Sequence, residues 1–281
     1  MPGWTVDEPT TLSFDGDPLT DVRVRVVGGT VNVVGTDGPA RLEVTEVDGP
    51  PLRVDREGGT LTVGYEDLSW SAALNWLDRS RWRRHAAVSL AVPWDTRVEV
   101  GTVTAPAVVG GLRGTVAVRS VGGPLTLTRL SGRVEAQTVT AEITAHGVTG
   151  ALKAHTVSGP LTVTDAGGSR IGANSVSGSM VMDLEDTADT ELTLHSVSGE
   201  VTIRLPHTGD AQVEAGSASG RLSSAFDELR MDNHRGAKRL SGRLGRGGGR
   251  LRASTVSGSV TLLRRPPGEP DDAPHERKEL A

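Results

Sequence analysis

The chain has 281 residues, 36 of them glycine and none cysteine, and a formal net charge of −5. Without cysteine there are no disulfides and no thiolate metal sites, and with aromatic residues at 3% a core has to be packed from aliphatic side chains. Glycine costs roughly 1 kcal/mol inside a helix, so this composition favours many short strands joined by tight turns.

The opening stretch MPGWTVDEPTTLSFDGDP has no basic start and no apolar run of the kind a secretory signal needs. Nor does any stretch approach the roughly 20 apolar residues of a membrane span. On these grounds a cytoplasmic protein is expected. The charge is unevenly spread. Residues 1–70 carry 13 Asp/Glu against 5 Arg, a balance of −8, whereas residues 230–265 carry ten Lys/Arg against the single Asp232, a balance of +9. Segregation of this kind can mark an anion-binding face.

Residues 1–64 read as an N-terminal β section or cap. VRVRVVGGTVNVVG alternates on either side of Gly28-Gly29 and predicts a hairpin there. Residues 65–87 break the β pattern. Leu68, Ala72, Leu74, Trp76 and Leu77 would line one side of a short helix, and an Arg/Trp-rich run follows. Within this insert Trp70, Trp76, Arg79, Arg81, Trp82, Arg83 and Arg84 are candidate interaction residues. The competing reading has the Trp side chains covering one end of the core.

Residues 88–265 carry the repeat. Between Gly114 and Gly168 the chain divides into six rows of nine: GTVAVRSVG, GPLTLTRLS, GRVEAQTVT, AEITAHGVT, GALKAHTVS and GPLTVTDAG. The third, fifth and eighth positions are apolar in every row, and Ala141 alone replaces the opening glycine. The motif recurs at Gly178, Gly199, Gly220, Gly242 and Gly258, with spacings of 21, 21, 22 and 16 residues. Together with Gly114, Gly123, Gly132, Gly150 and Gly159, these glycines are expected to mark turns.

Two nonapeptides would make one coil of a β-solenoid, because a coil needs two strands facing each other across a core. Period-two alternation places the residue two before each glycine on the inner face. By that parity Val157 is interior and Thr156 exterior. Glycine at an inner position implies either that the two sheets approach too closely there for a Cβ or that the backbone is one disfavoured for other residues, and Ala141 favours the first. The Pro-rich, charged tail 266–281 has almost no apolar content and is expected to be disordered.

No pattern of catalytic residues emerges, and the chain is not expected to be an enzyme. GRGGGR at 245–250 lacks the Lys-Ser/Thr of a phosphate loop, and GSASG at 216–220 has Ala218 where a nucleophile would stand. The rows have no aspartate column for calcium. His146, His155 and His195 share a repeat position, but residues nine apart would lie on opposite sheets, so no metal and no cofactor is expected. The recurrent serines Ser158, Ser177, Ser198, Ser219, Ser241 and Ser257 read as structural.

The units TVSGPLTV, SVSGEVTI and STVSGSVTLLRR, with VPWDTRVEV leading into them, resemble a bacterial family of unknown function labelled "putative adhesin" and also described as the toast-rack domain. The resemblance covers roughly residues 10–263. It implies a β-helix-like fold without established catalytic activity, among relatives associated with membrane-anchored envelope-stress proteins or transcriptional regulators. No functional residues are defined for the family, so none carries over.

The function expected is a non-catalytic interaction or scaffold module with a protein partner. A second reading is a module for anionic polymers or a membrane surface, using residues 79–84 and 230–265, with Arg243, Arg246, Arg250 and Arg252 as candidate interaction residues in the second segment. A surface adhesin is a third. Sequence-specific nucleic-acid recognition is not expected.

Overall fold

The structure, a computed structural model, describes residues 3–65, 84–185, 187–206, 209–234 and 236–265. Among them there is no helix. Twenty-six strands form two long sheets, one of 14 strands and one of 12.

Each coil sends one strand to each sheet. Val116–Ser120 lies in the first sheet and Leu125–Thr128 in the second. Eighteen residues later the next coil pairs with them in parallel, Val116 opposite Val134 and Leu125 opposite Ile143. A coil is therefore two nonapeptides. The third and fifth positions of the rows point inward, and Val116, Val118, Leu125, Leu127, Val134, Ala136, Ile143 and Ala145 are fully buried. Neither sheet could bury this aliphatic face alone.

The two corners of a coil are not alike, and the expected parity fails at one of them. Passing from the second sheet to the first, the residue two before the glycine is buried: Leu112, Leu130, Val148 and Ala166. A residue with positive φ precedes each of them, namely Gly111, Arg129, Gly147 and Asp165. At the other corner the strand continues its alternation one residue further, so Ser120, Thr138, Thr156, Ser175, Ser196 and Thr255 are the buried ones. The following valine is then carried outward. Val157 is 46% exposed and Thr156 only 5% exposed, the reverse of the expectation.

Hydroxyls can sit inside because they close the corner. Thr138 Oγ1 donates to the carbonyl of Ala141 at 2.9 Å, Thr156 Oγ1 to Gly159 at 3.0 Å and Ser175 Oγ to Gly178 at 2.8 Å. The same hydroxyl can also accept, as where Gly123 N–H and Gly199 N–H reach Ser120 and Ser196 at 2.9 Å each. A buried hydroxyl left unpaired would cost about 1–3 kcal/mol. Here each of these has a backbone partner three residues along.

Coil order in space departs from order in sequence at both ends. Asp21–Val26 pairs in parallel with both Thr60–Gly64 and Arg97–Thr102, so the coil over 21–36 lies between coils that follow it in the chain. Its strands Asp21–Val26 and Gly28–Thr36 belong to different sheets, so Gly28-Gly29 opens a strand after a coil corner at Val27, and no hairpin forms there. At the far end Gly249–Thr255 pairs in parallel with both Glu191–Ser196 and Ala211–Ser217. The last coil of the sequence is thus inserted between two earlier ones. Gly242, expected at a turn, lies inside strand Ala237–Leu244, which makes an antiparallel hairpin with Arg230–His234; Ser241 lies there too.

Antiparallel strands finish both ends of the stack. Thr10–Phe14 lies beyond Ala40–Asp48, and Gly3–Val6 beyond Leu52–Glu57. The ring of Trp4 meets Phe14 edge to face at 5.7 Å. Phe226 and Leu229 are buried near the opposite end, with the guanidinium of Arg264 4.8 Å from the Phe226 ring centre. Such closure limits the exposure of open strand edges. The described part of the 65–87 insert is Tyr65 and Arg84–Ala87, and His85 already begins strand His85–Pro93. The helix expected over Leu68–Leu77 falls outside the described residues.

The corner asymmetry gives a direct test. Thr156→Asp places a carboxylate among hydroxyl-closed corners and is expected to lower the melting temperature by roughly 10 °C, on the scale of a few kcal/mol for an unpaired buried charge. Val157→Asp should change it by no more than about 2 °C. Equal losses would contradict the assignment.

Candidate functional site

The inserted coil and the hairpin bring together arginines that are far apart in the sequence. On the outer face of the first sheet three neighbouring strands, Gly249–Thr255, Ala211–Ser217 and Ala237–Leu244, form a shallow trough. Alternation turns Arg250 and Arg252 outward from the first, Gln212 and Glu214 from the second, and Arg239 and Arg243 from the third. Register sets them in rows. Gln212 lies between Arg250 and Arg243, Glu214 between Arg252 and Ser241, and Gly216 between Ser254 and Arg239. The shorter side chains of the middle strand make the floor, and the trough holds about 580 Å³.

Four guanidiniums line this trough against one carboxylate, Glu214. That carboxylate is divided between two of them: Arg239 Nη2 donates to its Oε1, and Arg252 Nε lies 3.8 Å from its Oε2. Among the described residues no carboxylate oxygen lies within 4.0 Å of a guanidinium nitrogen of Arg243 or Arg250. Glu191 stands beside Arg250 in register but pairs with Arg170 at 3.2 Å. The surplus of positive charge is therefore presented to solvent.

Of the candidate interaction residues, Arg243, Arg250 and Arg252 are gathered here, joined by Arg239, which is not among those candidates. Arg246 is not. It lies in the turn after Leu244, its side chain 93% exposed, and reaches Asp210 at 3.4 Å. A backbone hydrogen bond from Gly248, 2.9 Å long, holds the Asp210 carboxyl below the usual aspartate range and ties down that turn. Trp70, Trp76, Arg79, Arg81, Trp82 and Arg83 lie outside the described residues. Arg84 stands beside the strand start, its guanidinium 5.2 Å from the ring centre of Tyr65 and its carbonyl accepting from Gly28 N–H at 3.0 Å.

A second surface runs along the hydroxyl-closed corner. Val139, Val157, Val176, Val197 and Val256 stand in file there, 42–55% exposed. The next residue of each corner ties its coil to the one before, as Ser158 Oγ donates to Val139 O at 3.2 Å and Ser198 Oγ to Val176 O at 3.3 Å. Ser177, Ser219 and Ser257 do the same.

His146 and His155, nine residues apart, lie on opposite sheets, whereas His155 and His195 share a sheet two strands apart. His155 and His195 lie on the first sheet, facing Asn174 at 3.2 Å and Ser254 at 2.6 Å, and His146 lies on the second beside Thr164 and Asp165. Burial depresses the His155 pKa, with Lys153 adding to the effect. Among the described residues no cluster of three or more His, Asp or Glu could hold a metal ion. On the second sheet Arg265 bridges Asp183 at 2.7 Å and Asp165 at 3.2 Å, fastening the inserted coil to earlier ones.

A family model described as Toastrack DUF4097 matches residues 30–263. Among solved structures, a "putative cell adhesion protein" from Clostridium sporogenes ATCC 15579 is similar at 9% identity, covering 92% of this chain and all of its own, with a TM-score of 0.24. A "putative lipid binding protein" from Parabacteroides distasonis ATCC 8503 is similar at 16% identity, covering 92% of this chain and 97% of its own, with a TM-score of 0.48. No curated protein matches the chain.

Proposed function

This chain belongs to the Toastrack DUF4097 family, a family of unknown function, and from that premise we propose that it is a non-catalytic interaction module whose trough holds an anionic partner. One observation carries the reading. Arg239, Arg243, Arg250 and Arg252 line a single groove in which Glu214 is the one acidic side chain. Guanidiniums suit this role because each presents a planar fork of donors to phosphate or carboxylate oxygens. Their exposure makes the attraction long-ranged at low salt and weak at high salt. The strands that carry them are held by backbone ladders on both sides, so the backbone positions of the four arginines are set before a ligand arrives.

The full-length protein should be retained on a heparin column and eluted by salt. Arg243→Ala combined with Arg250→Ala should elute at clearly lower salt, whereas Arg23→Ala combined with Arg41→Ala, at the opposite end, should elute with the wild type. Coincident elution of the trough variant and the wild type would sink the assignment.

The file of valines favours a second reading, a protein partner docked along the corner. A continuous apolar strip is uncommon on a soluble surface and marks contact sites more often than chance. Val157→Ser, Val176→Ser and Val197→Ser together should leave the melting temperature within a few degrees but strip the cognate protein from purified complexes. Complexes of unchanged composition would rule this reading out.

A further inference from the structure

The valine file has a period, and the period restricts what can dock on it. The ladders place Val139, Val157, Val176, Val197 and Val256 at the corners of five successive coils. Strand spacing sets them about 4.8 Å apart, so the file is roughly 19 Å long. A docked helix repeats its contact residues every turn, about 5.4 Å, and would drift by about 2.4 Å, half a spacing, over that length. An extended strand laid along the file repeats every second residue, about 6.6 Å, and drifts faster. A second stack of coils has the same period and meets every valine alike.

The composition of the strip suits another copy of this chain. Two columns flank the valines, one from Gln137 to Ser254 on the first sheet and one from Thr140 to Ser257 at the corner. None of the three columns holds an Asp, Glu, Lys or Arg on these coils, in a chain where such residues make up 23%. Identical surfaces meeting across a twofold axis set like charges against each other, and this strip has none to set. The corner hydroxyls already donate to carbonyls of the neighbouring coil, so covering them leaves no donor unpaired. Turning does not itself require an exposed valine, because the other corner exposes Arg113, Ser131, Thr149 and Gly167.

Resting on the reading of the valine file as a docking surface, we propose that its occupant is a second copy of this chain, the two stacks running antiparallel about a twofold axis at Val176. The flanks decide the direction. Glu135 lies on the first sheet two coils to one side of Val176, and Arg252 two coils to the other. Antiparallel stacks put like flank beside like flank at inverted levels, which brings Glu135 to the same side and level as Arg252 of the second copy. Parallel stacks put opposite flanks together at equal levels, where Glu135 would meet Glu142, three residues beyond Val139. At longer range the antiparallel arrangement turns each copy's basic end toward the other's acidic end. The strip is narrow, at the small end of specific interfaces, so the dimer forms and dissociates with concentration.

Sedimentation of the purified full-length protein from about 0.01 to 1 mM, the range a small interface calls for, should show an average mass rising from one chain toward two. Val157→Ser, Val176→Ser and Val197→Ser together should remain monomeric throughout, with a melting temperature within a few degrees of the wild type. The chain has no cysteine, so single introduced thiols report the arrangement. Under mild oxidation Val176→Cys should give a disulfide-linked dimer. Val139→Cys alone should not, since its two copies would lie roughly 19 Å apart, beyond the reach of a disulfide. Val139→Cys mixed with Val256→Cys should link, and Thr149→Cys at the other corner gives the background rate. A wild type that stays monomeric, or a triple variant that still dimerises, overturns the inference. Self-linkage of Val139→Cys as fast as that of Val176→Cys overturns the antiparallel arrangement. If the wild type is monomeric while the triple variant still loses its cognate protein from purified complexes, the docking reading stands and the second copy as occupant fails.

Discussion

At the corners of this solenoid, backbone rests on backbone. A Cβ added to Gly132 would overlap the carbonyl oxygen of Gly114, one on Gly150 would overlap Gly132, and one on Gly168 would overlap Gly150. The other corner repeats the arrangement, with Gly159 over Ala141, Gly178 over Gly159, Gly199 over Gly178, Gly258 over Gly199 and Gly220 over Gly258. None of these glycines has positive φ, so the requirement is for space and not for a left-handed backbone. The crowding comes from the neighbouring coil rather than the opposite sheet. Close stacking keeps adjacent coils at strand spacing even where the chain turns, which lets both sheets run unbroken through the stack.

The same stacking explains how a coil can be inserted out of order. The coils present the same ladder of backbone groups, and at the hydroxyl-closed corner Gly258 seats on Gly199 and Gly220 on Gly258, so the coil over 249–264 fits between 191–205 and 211–224 as a sequential one would. The insertion has a functional consequence. It puts Arg250 and Arg252 on one side of Ala211–Ser217 while the hairpin puts Arg239 and Arg243 on the other. A chain coiling in simple sequence order would not have built the trough.

Much of this was legible in the residues. The nine-residue period and the inward third and fifth positions follow from side-chain alternation, and Leu125, Val134 and Leu152 are buried as that alternation demands. The corners were not legible, because hydropathy alone assigns Val157 to the core and Thr156 to solvent. It cannot anticipate that the Thr156 hydroxyl would be satisfied by a backbone carbonyl three residues on. The motif at Gly242 has the same Ser-Gly core as those at coil corners, yet its strand Ala237–Leu244 pairs antiparallel on both sides. Positive charge over 230–265 pointed to an anion-binding face, and three of its four named arginines do converge. Arg239 and Glu214 were missed because their importance arises from strand adjacency. Alternation of polar residues in AQVEAGS and AKRLSGRL was the available signal, but nothing in it says that these segments are neighbours.

The stacking of coils depends on the glycine seats, and alanine scanning of them by thermal unfolding tests that dependence most directly. Gly150→Ala and Gly199→Ala should each lower the melting temperature by roughly 5 °C or more, the scale of overpacking a tight contact in a chain of this size. Gly172, also within the coils, has nothing within 4 Å of an added Cβ, so Gly172→Ala should leave the melting temperature unchanged or slightly higher. Three indistinguishable melting curves would mean that corner glycines do not hold the coils together.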